Sequence, residues 1–113
     1  MKKIEAVVRP DSLDQVLDAL EQAGYPGIMV TEIEGHGKQK GVTQQWRGQE
    51  YKVNLLPKVK LEVVVTDQEA EEIIKTISKV AKTGQIGDGK IFISDMAEAV
   101  RIRTGERGDS ALN

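Results

Sequence analysis

The sequence predicts an α+β fold of βαββαβ order, an antiparallel sheet carrying two helices on one face. Three observations lead there. Residues 3–9 and 59–65 alternate apolar and polar side chains with the period of a strand. Each stretch is followed by a segment whose apolar residues recur every three or four positions. A glycine then closes that segment, and a second run of strand composition follows. With 113 residues, 1–113 is the size of one ordinary domain.

In 3–9, Ile4, Ala6 and Val8 fall on one side and Lys3, Glu5 and Arg9 on the other, with Val7 the exception. Pro10 and then Asp11 or Ser12 open a helix in which Leu13, Val16, Leu17, Leu20 and Ala23 form one apolar face, and Gly24 can end it in a left-handed turn. A shorter strand is expected over 28–34. In 59–65, Val59, Leu61, Val63 and Val65 point inward, while Lys58, Lys60 and Glu62 share the other face. Thr66 and Glu69 have the spacing of a capping box, opening a helix with Ala70, Ile73, Ile74, Ile77 and Ala81 on one side and Gly84 as its stop. Residues 90–94 are rich in β-branched and aromatic side chains and give a fourth strand, and the alternation of 100–103 is expected to extend the sheet. Right-handed crossovers then give a ferredoxin-like arrangement. Its uncovered face, with Val7 and Val64, predicts oligomerisation. Residues from about 104 to 113 mix glycine and charge without periodicity and read as a mobile tail.

Sixteen basic and eighteen acidic side chains leave a formal charge of -2, so the overall attraction of a general nucleic-acid binder is missing and any anion site must be local. The chain has no cysteine, which removes disulfides, thiol chemistry and cysteine-ligated zinc. Residues 1–5 turn acidic before any apolar leader forms, and no run approaches the roughly eighteen apolar residues of a membrane span. A cytoplasmic protein is expected.

Between the second and third strands lie about twenty residues, where a hairpin normally needs only a few. They carry Gly35, Gly37, Gly41 and Gly48, the bases Lys38, Lys40, Arg47 and Lys52, and the aromatics Trp46 and Tyr51. This composition reads as a displayed recognition arm over about 37–55, its alternative being an uninformative insertion.

The glycine loop, about 82–90, includes Gly84-Gln85-Ile86-Gly87-Asp88-Gly89-Lys90, the first seven positions of a Walker A pattern. The eighth is Ile91 instead of Ser or Thr, and the loop joins a helix to a strand, the reverse of a P-loop. The context is therefore not that of a standard NTPase, although glycines beside Lys90 still suit a phosphate. The same glycines also suit a plain turn that needs positive φ. Gly35-His36-Gly37 lacks the spacing and following helix of a dinucleotide fingerprint. Arg101 and Arg103, two apart on the expected last strand, would point to one side and suit phosphate oxygens, or simply form a solvated edge. His36 has no second histidine or cysteine for a metal site, and neither the serines nor Asp88 and Glu62 stand in a catalytic pattern.

Five segments stand in order along the chain: Gly35-His36-Gly37-Lys38-Gln39-Lys40-Gly41, Trp46-Arg47-Gly48-Gln49-Glu50-Tyr51, Leu56-Pro57-Lys58-Val59-Lys60, Thr83 through Phe92, and Arg101-Ile102-Arg103-Thr104-Gly105-Glu106. Together they resemble the P-II nitrogen-regulatory family over nearly the whole chain. The resemblance implies a homotrimer with sites between subunits that bind ATP or ADP competitively, and 2-oxoglutarate together with Mg-ATP. It assigns Gly87, Asp88, Gly89, Lys90, Arg101 and Arg103 to phosphates, with Gly37, Lys38, Glu62 and Val64 lining the nucleotide site. Gln39 would coordinate Mg2+, and Lys58 would meet a 2-oxoglutarate carboxylate near Lys40, Gly41 and Gly87. The arm would be the family's T-loop, which engages ammonium transporters and nitrogen-assimilation enzymes. Tyr51 holds the position that some members uridylylate, which implies a modifying enzyme. Gln49 replaces a serine phosphorylated in others, Trp46 replaces the commoner tyrosine, and Arg47 matches the residue that enters a transporter pore. Contact with a membrane would be indirect, through such a transporter.

This reading makes the chain a sensor, with slow ATP hydrolysis at most. An unconventional nucleotide-hydrolysing or transferring enzyme is the alternative. A ferredoxin-like RNA-binding module is disfavoured by the single phenylalanine, Phe92, and the negative charge.

Overall fold

The computed structural model describes residues 1–25, 27–36, 43–46, 49–52 and 55–112, the strand residues 43–46 and 49–52 by their backbone. Strand β1, Lys2–Val8, leads through a 3-10 turn at Pro10–Ser12 into helix α1, Leu13–Gln22. Gly24, at φ 96°, closes the helix: its N–H donates to the Glu21 carbonyl at 3.0 Å, and the Tyr25 N–H reaches back to Leu20 at 2.9 Å. That pair of bonds is a Schellman motif, which satisfies carbonyls the helix end leaves over.

Strands β2, Met29–Gly35, and β5, Leu56–Val65, flank the arm. Within the arm lie two further strands, β3, Thr43–Trp46, and β4, Gln49–Lys52, paired as a separate hairpin with Thr43 opposite Lys52 and Trp46 opposite Gln49. The sequence showed only a polar arm here because these strands lack the apolar alternation of a half-buried strand. Helix α2, Asp67–Ala81, and strand β6, Lys90–Asp95, complete the core elements. At the start of α2 the Thr66 hydroxyl donates to the Glu69 carboxylate at 2.7 Å, a side-chain pair in place of the expected side-chain-to-backbone capping box. The helix stops at Ala81, with Lys82 extended, so Gly84 belongs to the following loop and is not its stop.

The main sheet is antiparallel in the order β2-β5-β1-β6, as expected of a ferredoxin-like fold. Its register explains the core. Ile4 faces Val63, Ala6 faces Leu61 and Val8 faces Val59, and all six are buried, so one face of the two central strands is continuously apolar. Val16 and Leu20 of α1 and Ala70, Ile73, Ile77 and Ala81 of α2 close over it. Each fully buried Ile or Leu in such a layer contributes about 2 kcal/mol or more.

The opposite face of the sheet is not covered by these helices. Glu5 lies directly opposite Glu62, an unfavourable like-charge pair that Lys3 relieves by reaching both, at 3.1 and 3.3 Å, while Lys60 meets Glu62 at 3.1 Å. Lys60 and Lys3 hold the Glu62 carboxyl below its ordinary range, and Glu5 and Glu62 raise the Lys3 amine. Around these charges Met29 and Phe92 remain more than half exposed.

Residues 100–103 do not extend the sheet, contrary to the alternation. Val100 makes a single bridge to Arg107, residues 102–104 turn, and a 3-10 helix follows at Gly108–Leu112. Gly105, at φ 75°, lets the chain fold back on itself, and its N–H donates to the Arg101 carbonyl at 2.8 Å. The stretch read as a mobile tail is thus folded through Leu112. Among the described residues, no helix is long and apolar enough to cross a membrane.

Candidate functional site

The site forms where three strands end together. Continuing the β1–β5 register one step past Val8 and Val59 sets Arg9 opposite Lys58; continuing β1–β6 two steps past Val7 and Lys90 sets Arg9 opposite Asp88. Two cations and a carboxylate therefore meet at the mouth of the glycine loop.

Asp88 organises that loop. Its carboxylate accepts from the backbone N–H groups of Thr83 and Gly84, each at 2.9 Å, from the Thr83 hydroxyl, and from Arg9 Nε at 3.3 Å. The Thr83 hydroxyl above all, with those backbone donors and Arg9, lowers the carboxyl to about 2 against the resistance of partial burial. Arg9 also donates to the Ile86 carbonyl at 2.7 Å. A carboxylate so committed has little left for a phosphate, which it would repel, so the side chain of Asp88 shapes the loop.

Gly89 is fixed by sterics. A Cβ there would stand 1.7 Å from the Val7 carbonyl oxygen, and its φ of 103° already lies where other residues are strained. The backbone at Gly89 is thereby pressed against β1, and Lys90 begins β6 from that anchor. Lys58, half-buried, donates to the Gly87 carbonyl at 2.8 Å. Burial first, then the positive charge of Arg9, lowers its amine from the ordinary lysine value, with Asp88 and Asp11 partly offsetting. A lysine held this way gains from an incoming anion.

These groups border a groove of about 540 Å³ lined by Val7, Gly35, His36, Leu56, Lys58, Phe92 and residues 85–90. Gly35 and His36 are the root of the arm. The groove therefore joins the glycine loop to the root of the arm through Lys58.

The remaining expected residues divide into three groups. Glu62 and Val64 lie farther along β5 on the uncovered face and do not line the groove; Glu62 is four residues from Lys58, roughly 13 Å along an extended strand. Arg101 and Arg103 do not share a strand face: Arg101 binds the Glu106 carboxylate at 2.6 Å and the Ser110 carbonyl at 3.0 Å, while Arg103 is exposed on the turn. Gly37, Lys38, Gln39, Lys40, Gly41 and Arg47 lie outside the described residues, and Tyr51 is placed by its β4 backbone alone. Arg9 and Thr83 were missed as organising residues. Strand register would have found Arg9, since it follows from where β1 ends relative to Lys58 and Asp88.

A profile of the family described as Nitrogen regulatory protein P-II matches residues 1–106. The chain belongs to the P-II family. It is 57% identical over 112 residues to the nitrogen regulatory protein P-II of Mesorhizobium japonicum, covering 99% of this chain and 100% of that one. Nitrogen regulatory protein P-II 2 of Methanothermobacter thermautotrophicus is 53% identical over 112 residues, covering 99% of this chain and 97% of its own. Nitrogen regulatory protein P-II 1 of Escherichia coli is 52% identical over 112 residues, covering 99% and 100%. The chain is thus a P-II nitrogen-regulatory signalling protein, and P-II proteins are in general regulators, not enzymes.

Proposed function

We propose that this P-II chain is one domain, 1–113, of a cytoplasmic homotrimer that senses ATP or ADP and 2-oxoglutarate and reports them through its arm. The observation that carries this is the shared groove: a loop locked by Asp88 and Gly89, a half-buried Lys58, and the arm's root at Gly35 and His36 all border one space. Phosphates sit against residues 87–90, with backbone and Lys90 supplying donors and charge. Glu62 and Val64, too far along β5 to serve the same groove, line the nucleotide from a neighbouring copy. Arg101, Arg103, Gly37 and Lys38 complete that lining.

Lys58 exchanges its bond to Gly87 for a carboxylate of 2-oxoglutarate, which also meets the backbone of Lys40, Gly41 and Gly87. Mg2+ bound with ATP supplies the positive charge that lets two anionic ligands lie together, with Gln39 as its protein ligand. Because Lys58 and Gln39 flank the arm's root, ligand state selects the arm's shape and hence its partner, an ammonium transporter or a nitrogen-assimilation enzyme. Arg47 is the contact residue for such a partner and Tyr51 the residue open to modification.

Titration calorimetry tests the reading. ATP and ADP are expected to compete for one class of site, and 2-oxoglutarate to bind only with Mg2+ and ATP present. No nucleotide binding, or 2-oxoglutarate binding indifferent to ATP, would contradict it. Phosphate release is expected to be slow at most; ordinary enzymatic turnover abolished by Lys90→Ala would favour a hydrolase instead.

A further inference from the structure

We propose that Glu106 is an internal competitor for Arg101, so that residues 99–110 form a clasp whose carboxylate must leave before a nucleotide phosphate can take its place. The inference rests on the nucleotide-binding reading above.

Arg101 stands at the centre of a closed turn. One guanidinium nitrogen holds the Glu106 carboxylate at 2.6 Å and another holds the Ser110 carbonyl at 3.0 Å. The Glu106 carboxylate thus presents to Arg101 the same acceptor chemistry, an anionic oxygen, that a phosphate would present. The two cannot share the guanidinium at close range without facing each other as like charges. Nucleotide binding at Arg101 is therefore an exchange of anions.

The fold lets that exchange occur without unfolding the turn. Its backbone is closed independently of the ion pair, by the Arg101 N–H to the Glu106 carbonyl at 2.9 Å, Gly105 N–H to Arg101 at 2.8 Å, and Gly108 N–H to Ala99 at 3.0 Å. The Glu106 side chain is 43% exposed, so it can swing into water with these bonds in place. The clasp therefore weakens anion binding at Arg101 by the modest strength of a part-exposed ion pair.

Calorimetry of ATP binding to the full-length protein and to Glu106→Gln tests the exchange. The variant is expected to bind ATP about two- to five-fold more tightly, the usual strength of a part-exposed ion pair. Equal or weaker binding overturns the proposal. A second measurement needs no mutation: in the unaltered protein, ATP is expected to move the 13C resonance of the Glu106 carboxyl towards that of a solvated glutamate, saturating with binding. A resonance that stays in place through saturation overturns the clasp. If neither protein binds ATP, the nucleotide reading and the clasp both fall; if both bind equally well, only the clasp does.

Discussion

Residues 83–90 and residues 99–108 are both short glycine-bearing turns in which an arginine meets a carboxylate, and they are held in opposite ways. In the first, Arg9 reaches Asp88 across 79 positions of sequence, and Gly89 is pressed on the backbone of β1. In the second, Arg101 and Glu106 are five positions apart and every backbone bond closing the turn is local. A loop templated by distant strands keeps its shape only while the sheet register holds; a locally closed turn depends on little beyond itself. The first is suited to being a fixed wall of a binding site, the second to being a part that yields.

The largest effect should come from breaking the template. Gly89→Ala places a methyl 1.7 Å from the Val7 carbonyl oxygen at a positive φ, and is expected to cost about 3 kcal/mol or more in chemical denaturation. A loss under about 1 kcal/mol would mean that β1 does not set the loop. Lys58→Met removes the donor to Gly87 at the edge of the same wall. It is expected to weaken 2-oxoglutarate binding at least about tenfold while ATP still binds, because one charge-assisted hydrogen bond is lost. Loss of both ligands together would mean that Lys58 holds the loop more than the ligand.

A smaller effect separates the two turns by pH. The Asp88 carboxyl is lowered from 3.8 to about 2, so its stabilisation is complete above the higher value and disappears as pH falls through the lower. Protection of the Thr83 and Gly84 amides from exchange, relative to their intrinsic rates, should fall across that window while the Arg101 and Gly108 amides, bonded to backbone carbonyls, follow the global stability. Release of the Thr83 and Gly84 amides already near neutral pH would break the comparison. The smallest effect is the Arg101 and Glu106 pair itself, for which a double-mutant cycle should give about 0.5–1 kcal/mol of coupling.

The same contrast explains what could be read from the sequence. The core pattern was legible because Ile4, Ala6, Val8 and the alternating valines of β5 are buried on one face, and burial on one face is what period-two alternation encodes. The two helices were legible for the corresponding reason. The last expected strand failed because four alternating residues carry little periodic signal and Gly105 turns them aside. The hairpin in the arm was hidden because its strands carry no apolar alternation. At the site, the glycines before Lys90 marked a loop, but Arg9 did not stand out, since its role exists only after three strands have been brought into register.

The arm's hairpin pairs the backbone of Gln44 with Tyr51 and of Trp46 with Gln49. The chain contains one tryptophan, and it stands there. Its fluorescence therefore comes from the arm alone. The protein carries its own optical probe of the arm, with no added label.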